Sequence, residues 1–278
     1  MKKKFLLFFI LYFYVINAQA KDMRIISLAP ATTEMLFALG LDKEIIAVSQ
    51  FSDYPPQAIN KPSVGTFSDP NVEMIIALKP DIIFCTGLEQ MPVVNKLRQL
   101  NFKVQVSDPA NFSELFSSIK KMGELTDKRQ EAEVLVEKMR LAIDVIKRKV
   151  LQSHLEKQPK VYIEIWHSPL MTAGSGSFVD EIISIVGGIN IAHDSFRPYV
   201  NFTSEQVIKG NPDHIVMAYM DKEDVTRIAA KRPGWGSISA IKNGKVYNDI
   251  NSDLFLRPGP RLIDGLNEIY KKFYEQPN

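Results

Sequence analysis

Residues 204–216, SEQVIKGNPDHIV, repeat a pattern already set out by residues 71–84, NVEMIIALKPDIIF. In each copy a glutamate, Glu73 or Glu205, stands seven positions before the proline of a Pro-Asp pair that leads into an apolar, β-rich run. An acidic residue suits the first turn of a helix, and the residue before a proline is pushed out of the helical region. Each copy therefore reads as a short helix, a forced stop and a strand. One unit written twice, 132 residues apart, favours two lobes built to a common plan.

Around the first copy, short apolar strands alternate with helices. RIISL (24–28) reads as a strand, Thr33-Glu34 opens the amphipathic stretch EMLFALG that stops at Gly40, and IIAVS (45–49) is the next strand. DIIFC (81–85), PVVNKLRQL (92–100) and FKVQV (102–106) continue as strand, helix and strand. The second half repeats this order. VYIEIW (161–166) is a strand, HSPLMTAGSGS (167–177) a loop and VDEIISIVGG (179–188) a helix. An irregular stretch with Pro198 and Tyr199, the Glu205 helix and the strand HIVMAY (214–219) follow. Glu181 precedes Gly187 by six positions, as Glu34 precedes Gly40. Alternation of this kind predicts parallel sheets with helices on their faces.

Between the halves, apolar residues at 132, 135, 136, 139, 142, 143, 146 and 150 keep a helical spacing. A helix over 127–151 would be about 37 Å long, enough to cross from one lobe to the other. The predicted fold is α/β, with two Rossmann-like lobes joined by a single long α-helix and a ligand cleft between them, at the carboxyl ends of the strands. The expected divisions are an export segment 1–20, an N-terminal lobe 21–124, a bridging helix 125–156 and a C-terminal lobe 157–278.

The export segment rests on Lys2, Lys3 and Lys4, the apolar run Phe5 to Ile16, and the small-x-small triplet Ala18-Gln19-Ala20. That run is well short of the roughly 20 residues a membrane-spanning helix needs. Its removal takes away three lysines and moves the formal charge from +2 to −1. Such a balance gives no general attraction to nucleic acid or anionic lipid. Cys85 is the only cysteine, which excludes an intramolecular disulfide. No cysteine stands at the cleavage point to take a lipid anchor. A soluble monomer released into the periplasm is expected.

RIISLAPATTEMLFALG (24–40), SQFSDYPPQA (49–58), VEMIIALKPDII (72–83), SEQVIKGNPD (204–213) and RPGPRLIDGL (257–266), in this order, resemble the periplasmic vitamin B12 (cobalamin) binding proteins of ABC importers. These belong to the helix-bridged class that also carries haem and ferric siderophores. SDYPPQA and WHSPLMTAGSGSF (166–178) point more narrowly to the cobalamin branch. The resemblance implies capture of a corrinoid and delivery to a dimeric permease with its ATPase subunits. It places Glu73 and Glu205 at the tips of the lobes, docking to the two permease halves; the alternative is that each only complements a helix dipole.

By motif position it also implies ligand contacts at Ala31, Phe51, Phe67, Tyr199 and the segment Asp253 to Arg257. Thr86 departs from the pattern, because a relative carries tryptophan there. From the residues themselves, Trp166 at the end of a strand could stack on a macrocycle, and the adjacent His167 could hydrogen-bond to it or act as axial ligand to its metal. Arg257 is expected to face the ligand. Arg261 stays open between the ligand and an ion pair with Asp264. Haem is the rival cargo, since a flat ring with propionates also suits aromatics, a histidine and arginine.

Other classes find less support. AGSGSF (173–178) lacks the Gly-Lys-Ser/Thr ending of a P-loop and the G-x-S-x-G of a nucleophile elbow. It reads as a turn capping a helix that begins near Phe178. Four histidines, at 154, 167, 193 and 214, have no zinc-site spacing, although His193, Asp194, Asp213 and His214 would have to converge in a zinc or manganese carrier. No catalytic constellation is present, so neither enzymatic activity nor a catalytic cofactor is expected.

Overall fold

The two Glu-to-Pro-Asp stretches fold into the same unit, and the rest of each lobe is arranged around it. The computed structural model describes residues 23–153, 157–218 and 229–275; the expected export segment and His154 lie outside them. The first lobe runs β1 (Ile25–Ser27), α1 (Pro30–Ala38), β2 (Ile45–Val48), α2 (Val72–Leu78), β3 (Ile82–Cys85), α3 (Met91–Gln99), β4 (Val104–Val106) and α4 (Phe112–Leu125). After α5 (Arg129–Gln152), the second runs β5 (Lys160–His167), β6 (Leu170–Ala173), α6 (Phe178–Ile185), β7 (Ile189–Asn190), β8 (Tyr199–Asn201), α7 (Ser204–Gly210), β9 (His214–Met217), α8 (Ser239–Lys242), β10 (Val246–Tyr247), α9 (Asp253–Leu256) and α10 (Leu262–Tyr274).

The first sheet has the parallel order β2-β1-β3-β4. The second contains the matching parallel set β7-β5-β9-β10, to which β6 and β8 add antiparallel strands beside β5. Both are doubly wound lobes, in which β5 corresponds to β1 and β9 to β3.

The repeated sequence has a local physical cause. α2 and α7 are both seven residues long. Asn71 caps the first by accepting from the Met74 N–H, and Thr203 caps the second by accepting from the Gln206 N–H. Each such cap contributes about 1 kcal/mol. Each helix then ends on a left-handed residue before the proline, Lys79 at φ 47° and Asn211 at φ 44°. The aspartate of each Pro-Asp pair ties the helix exit to the first strand of its sheet. Arg24 N–H donates to Asp81 Oδ2 at 2.8 Å and Lys160 N–H to Asp213 Oδ2 at 2.9 Å. In return, the Asp81 and Asp213 N–H groups donate to the Arg24 and Lys160 carbonyls, both at 2.8 Å. Even the side chains match: Arg24 donates to the Leu78 carbonyl and Lys160 Nζ to the Gly210 carbonyl, covering the open end of each helix.

Three expectations change. HSPLMTAGSGS is not all loop, because β6 folds back on β5 through a turn at Ser168-Pro169. Tyr199 belongs to strand β8, paired with β6, rather than to an irregular stretch. α1 starts at Pro30, three residues before Thr33, and it is buried from Ala31 to Leu36 instead of showing one apolar face. The two threonines tolerate burial because their hydroxyls are bonded. Ser27 Oγ lies 2.7 Å from Thr32 Oγ1, Thr33 Oγ1 donates to Ser27 Oγ at 2.8 Å, and Ser52 Oγ lies 3.1 Å from Thr33 Oγ1.

The bridge is α5, whose 24 residues give a length of about 36 Å. Its buried face, Ala132, Val136, Met139, Ile143 and Ile146, joins one apolar cluster that runs from Ile25, Met35 and Phe84 through α4 to Val161, Phe178 and Leu262. The lobes therefore share a core. At its centre the Phe112 ring meets Phe178 edge-on with centroids 5.6 Å apart, and the Phe112 N–H donates to Glu181 Oε2 at 2.8 Å. Gly187 permits the close passage of α5: its φ is 74°, and a Cβ there would stand 2.5 Å from Val150 Cγ1.

Candidate functional site: the interlobe cleft

A cleft of about 580 Å³ opens between the lobes, within the range of small-molecule sites. Its lining follows the carboxyl ends of strands: Ala29 to Ala31 after β1, Gln50 and Phe51 after β2, Thr86, Gly87 and Glu89 after β3, and Ser107 to Pro109 after β4. Ile165 and Trp166 end β5, Ala218 follows β9, and Ser252 to Pro258 close the remaining side. Of the residues singled out from sequence, Ala31, Phe51, Phe67, Trp166, Asp253 and Arg257 are brought together here, with Thr86 among them. His167 and Tyr199 do not line this cavity.

Phe51 is held for display. The residue is 67% exposed and its backbone sits at φ 69°, a conformation that costs a bulky residue about 1–3 kcal/mol. Bonds on both sides impose it: Gln50 N–H donates to the Gly65 carbonyl at 2.7 Å, and Ser52 joins the buried hydroxyl network that anchors α1. Gln90, missed by the sequence reading, stitches the rim. It is fully buried; its Nε2 donates to the carbonyls of Leu28 and Phe67 at 2.7 and 2.8 Å, and its Oε1 accepts from the Thr86 N–H at 2.9 Å. One amide thus fixes three cleft loops. Opposite, Trp166 is 45% exposed and its indole N–H donates to the Ser168 carbonyl at 3.0 Å, which leaves the ring face for contact. His167, next along β5, lies with its ring 5.2 Å from that of Trp166.

Arg257 is not a free anchor. Its Nη1 donates to Glu34 Oε1 at 3.1 Å and to Asp53 Oδ1 at 2.8 Å, while Nη2 stands 3.0 Å from Asp253 Oδ2. Burial would lower its pKa, but the carboxylates of Asp53, Asp253 and Glu34 outweigh this and raise it. The alternative partner for Arg261, Asp264, is replaced by Glu34, to which Arg261 donates from both Nε, at 2.8 Å, and Nη2. The Arg261 guanidinium also lies 4.0 Å from the centre of the Tyr54 ring. Glu34 is a buried acid of the first lobe, and both arginines precede α10 in the second. Sequence reading took Glu34 only as a pattern element; a glutamate inside the apolar run MLFAL's helix was the signal that a buried cation had to meet it.

Glu73 and Glu205 are exposed in the first turns of α2 and α7. Hydrogen bonds from its own backbone N–H and from Thr203 hold the Glu205 carboxyl below its ordinary pKa. Each helix precedes a parallel strand and runs back across its sheet, so both first turns lie at the carboxyl edge that borders the cleft. The residues weighed for a zinc or manganese site separate. His193 pairs with Asp180 at 3.0 Å, whereas His214 is buried between Tyr247 and Phe273 and its pKa falls to about 4, chiefly through burial. Among the described residues no group of three His, Cys, Asp or Glu could hold a metal ion.

Two parallel-sheet lobes, joined by one long helix and opening on a cleft at the carboxyl edges of both sheets, define a helix-bridged substrate-binding protein of the kind that serves ABC importers. The family described as periplasmic binding protein matches residues 25–251, and the chain belongs to it. An uncharacterized ABC transporter substrate-binding lipoprotein of Bacillus subtilis strain 168, YvrC, is 31% identical over 93% of this chain and 82% of its own. A vitamin B12-binding protein of Vibrio cholerae is 30% identical over 88% of this chain and 87% of its own. The crystal structure of the periplasmic vitamin B12 binding protein BtuF of Vibrio cholerae superposes with a TM-score of 0.77 at 29% identity, covering 91% of this chain and 98% of that one. The haem-binding protein HutB of Vibrio cholerae shares the fold, with a TM-score of 0.80 at 24% identity over 91% of this chain and all of that one. The family works with ABC permease and ATPase subunits, in the group that carries vitamin B12, haem and siderophores. No helix among the described residues is long and apolar enough to cross a membrane.

Proposed function

We propose that this protein is exported by cleavage after residue 20, captures a corrinoid of the vitamin B12 type in the interlobe cleft, and presents it to a permease through Glu73 and Glu205. The observation that carries the reading is the cleft itself. Aromatic faces stand on both lobes, Phe51 and Phe67 on one side and Trp166 on the other, as a broad ring with apolar faces requires. The vitamin B12-binding relatives at 30% identity support the same cargo. The protein transports its ligand and does not transform it. Tyr199 and His167 would complete the mouth of the cleft, with His167 next to Trp166 as the candidate contact to a ring metal.

Calorimetric titration of residues 21–278 with cyanocobalamin, with hemin alongside, tests the cargo. Saturable one-site binding of cyanocobalamin is the expected result. Binding of hemin alone would move the protein to the haem carriers and sink the corrinoid reading.

A further inference from the structure

The walls of the cleft are apolar, but its charges do not balance. Glu89, Asp108 and Asp253 line it, and Arg257 is the one basic residue that does so among the described residues. That guanidinium already bonds to Glu34, Asp53 and Asp253, so its charge is neutralised within the protein. Asp253 is engaged with it in turn. The uncompensated charge rests on Glu89 and Asp108.

Asp108 is the better placed of the two. It follows β4 at the carboxyl edge of the first sheet and makes no ion pair with any described residue. Its carboxylate occupies the space left by a missing side chain, since a Cβ on Gly87 would stand 2.8 Å from Asp108 Oδ2. Partial burial raises its pKa with no cation to oppose the effect. Burial raises the pKa of the Tyr199 hydroxyl, and the charge of Asp108 adds to that effect. Asp108 therefore places in the cleft wall, at the end of β4, a carboxylate unpaired among the described residues.

We propose that Asp108 determines the charge class of the ligand: its carboxylate accepts N–H donors from an amide-edged ring and repels rings whose substituents end in carboxylates. This rests on the macrocycle reading given above and adds a reason for choosing between macrocycles. A ring bearing amides gains an acceptor that makes no ion pair with the described residues, whereas a dicarboxylate ring meets like charge in a partly desolvated cleft and finds no uncommitted arginine among the described lining residues. Glu89 adds to the same field from the end of β3.

The test is calorimetric titration of wild type, D108N and E89Q, each with cyanocobalamin and with hemin, after thermal melts establish that the variants fold. Wild type is expected to bind cyanocobalamin more tightly than hemin. D108N keeps the shape and removes the charge, so the ratio of the two affinities should narrow by on the order of tenfold, through tighter hemin binding. E89Q should shift it in the same direction by less. Hemin binding to wild type should also strengthen as salt screens the repulsion, a response that a purely structural aspartate would not give. An unchanged ratio in D108N with cyanocobalamin still bound overturns this proposal and leaves the corrinoid reading standing. Hemin as the tighter ligand of wild type overturns both. If D108N fails to fold, E89Q and the salt series decide.

Discussion

Replacing Glu34 with alanine removes the buried carboxylate to which both arginines donate hydrogen bonds. The Glu34 side chain is 2% exposed, and those of Arg257 and Arg261 are 14% and 12% exposed. Breaking a buried pair from one side costs about 3–5 kcal/mol, because the remaining charge is left in a poor solvent. Arg257 keeps Asp53 and Asp253, but Arg261 keeps only Asp253, at 3.9 Å, and the face of Tyr54. The low end, about 3 kcal/mol, is therefore expected. For a chain of this size it corresponds to a fall in Tm of about 6–12 °C. Melting curves by circular dichroism on wild type, E34A, R261A and the double variant would measure both the loss and the coupling. Because the lobes share one core, a single transition is expected, and the double variant should lose less than the sum of the singles by about 1 kcal/mol or more. A Tm for E34A within about 2 °C of wild type, or strictly additive losses, would refute the assignment of these residues to one energetic unit across the lobes.

Two further outcomes follow from the same geometry. Replacing Glu73 and Glu205 together with alanine should leave cyanocobalamin affinity unchanged and abolish uptake through the importer; lost affinity in the purified double variant would show that these residues serve the ligand instead. His214 is buried neutral, with a folded pKa of about 4 against an ordinary 6.5. As pH falls through 6.5 the unfolded chain takes up the proton first, so wild type should lose up to about 3 kcal/mol between pH 6.5 and 4, a contribution fully present above that window. H214Q lacks this dependence, and urea midpoints at pH 7 and pH 4.5 should show its stability gap to wild type shrinking at the lower pH. A constant gap would contradict the burial argument.

Where structure follows from neighbours in sequence, it could be read directly. The strands of the first lobe are short apolar runs punctuated by Gly40, Pro55 and Pro80, and α5 keeps its spacing for six turns, so order, type and bridge were all legible. Strand ends pointed to the cleft and to Trp166, whereas Phe51 and Phe67 were picked out by motif position in the family resemblance. His167 follows Trp166 on β5 and lies against its ring, beside the cavity wall and not in it. The β6 and β8 strands were hidden by their serine, proline and glycine flanks, which are the usual marks of loops. The partners of Glu34 and Gln90 were opaque for another reason. The arginines that meet Glu34 lie 223 and 227 positions away, and Gln90 serves the carbonyl of Leu28, 62 positions back. No local pattern encodes partners at that distance.

The shared core beneath α5, with Phe112 against Phe178 and Glu34 against Arg261, makes the two lobes a single rigid caliper. A permease that gauges only the separation of Glu73 and Glu205 would receive the same signal from an empty carrier as from a full one. Empty copies would then occupy docking positions without delivering anything. Import would follow the ratio of full to empty carriers, and raising the amount of carrier while the ligand stays scarce would slow uptake after an initial gain. A flux that climbs steadily with carrier at fixed ligand would mean that the caliper opens and closes after all.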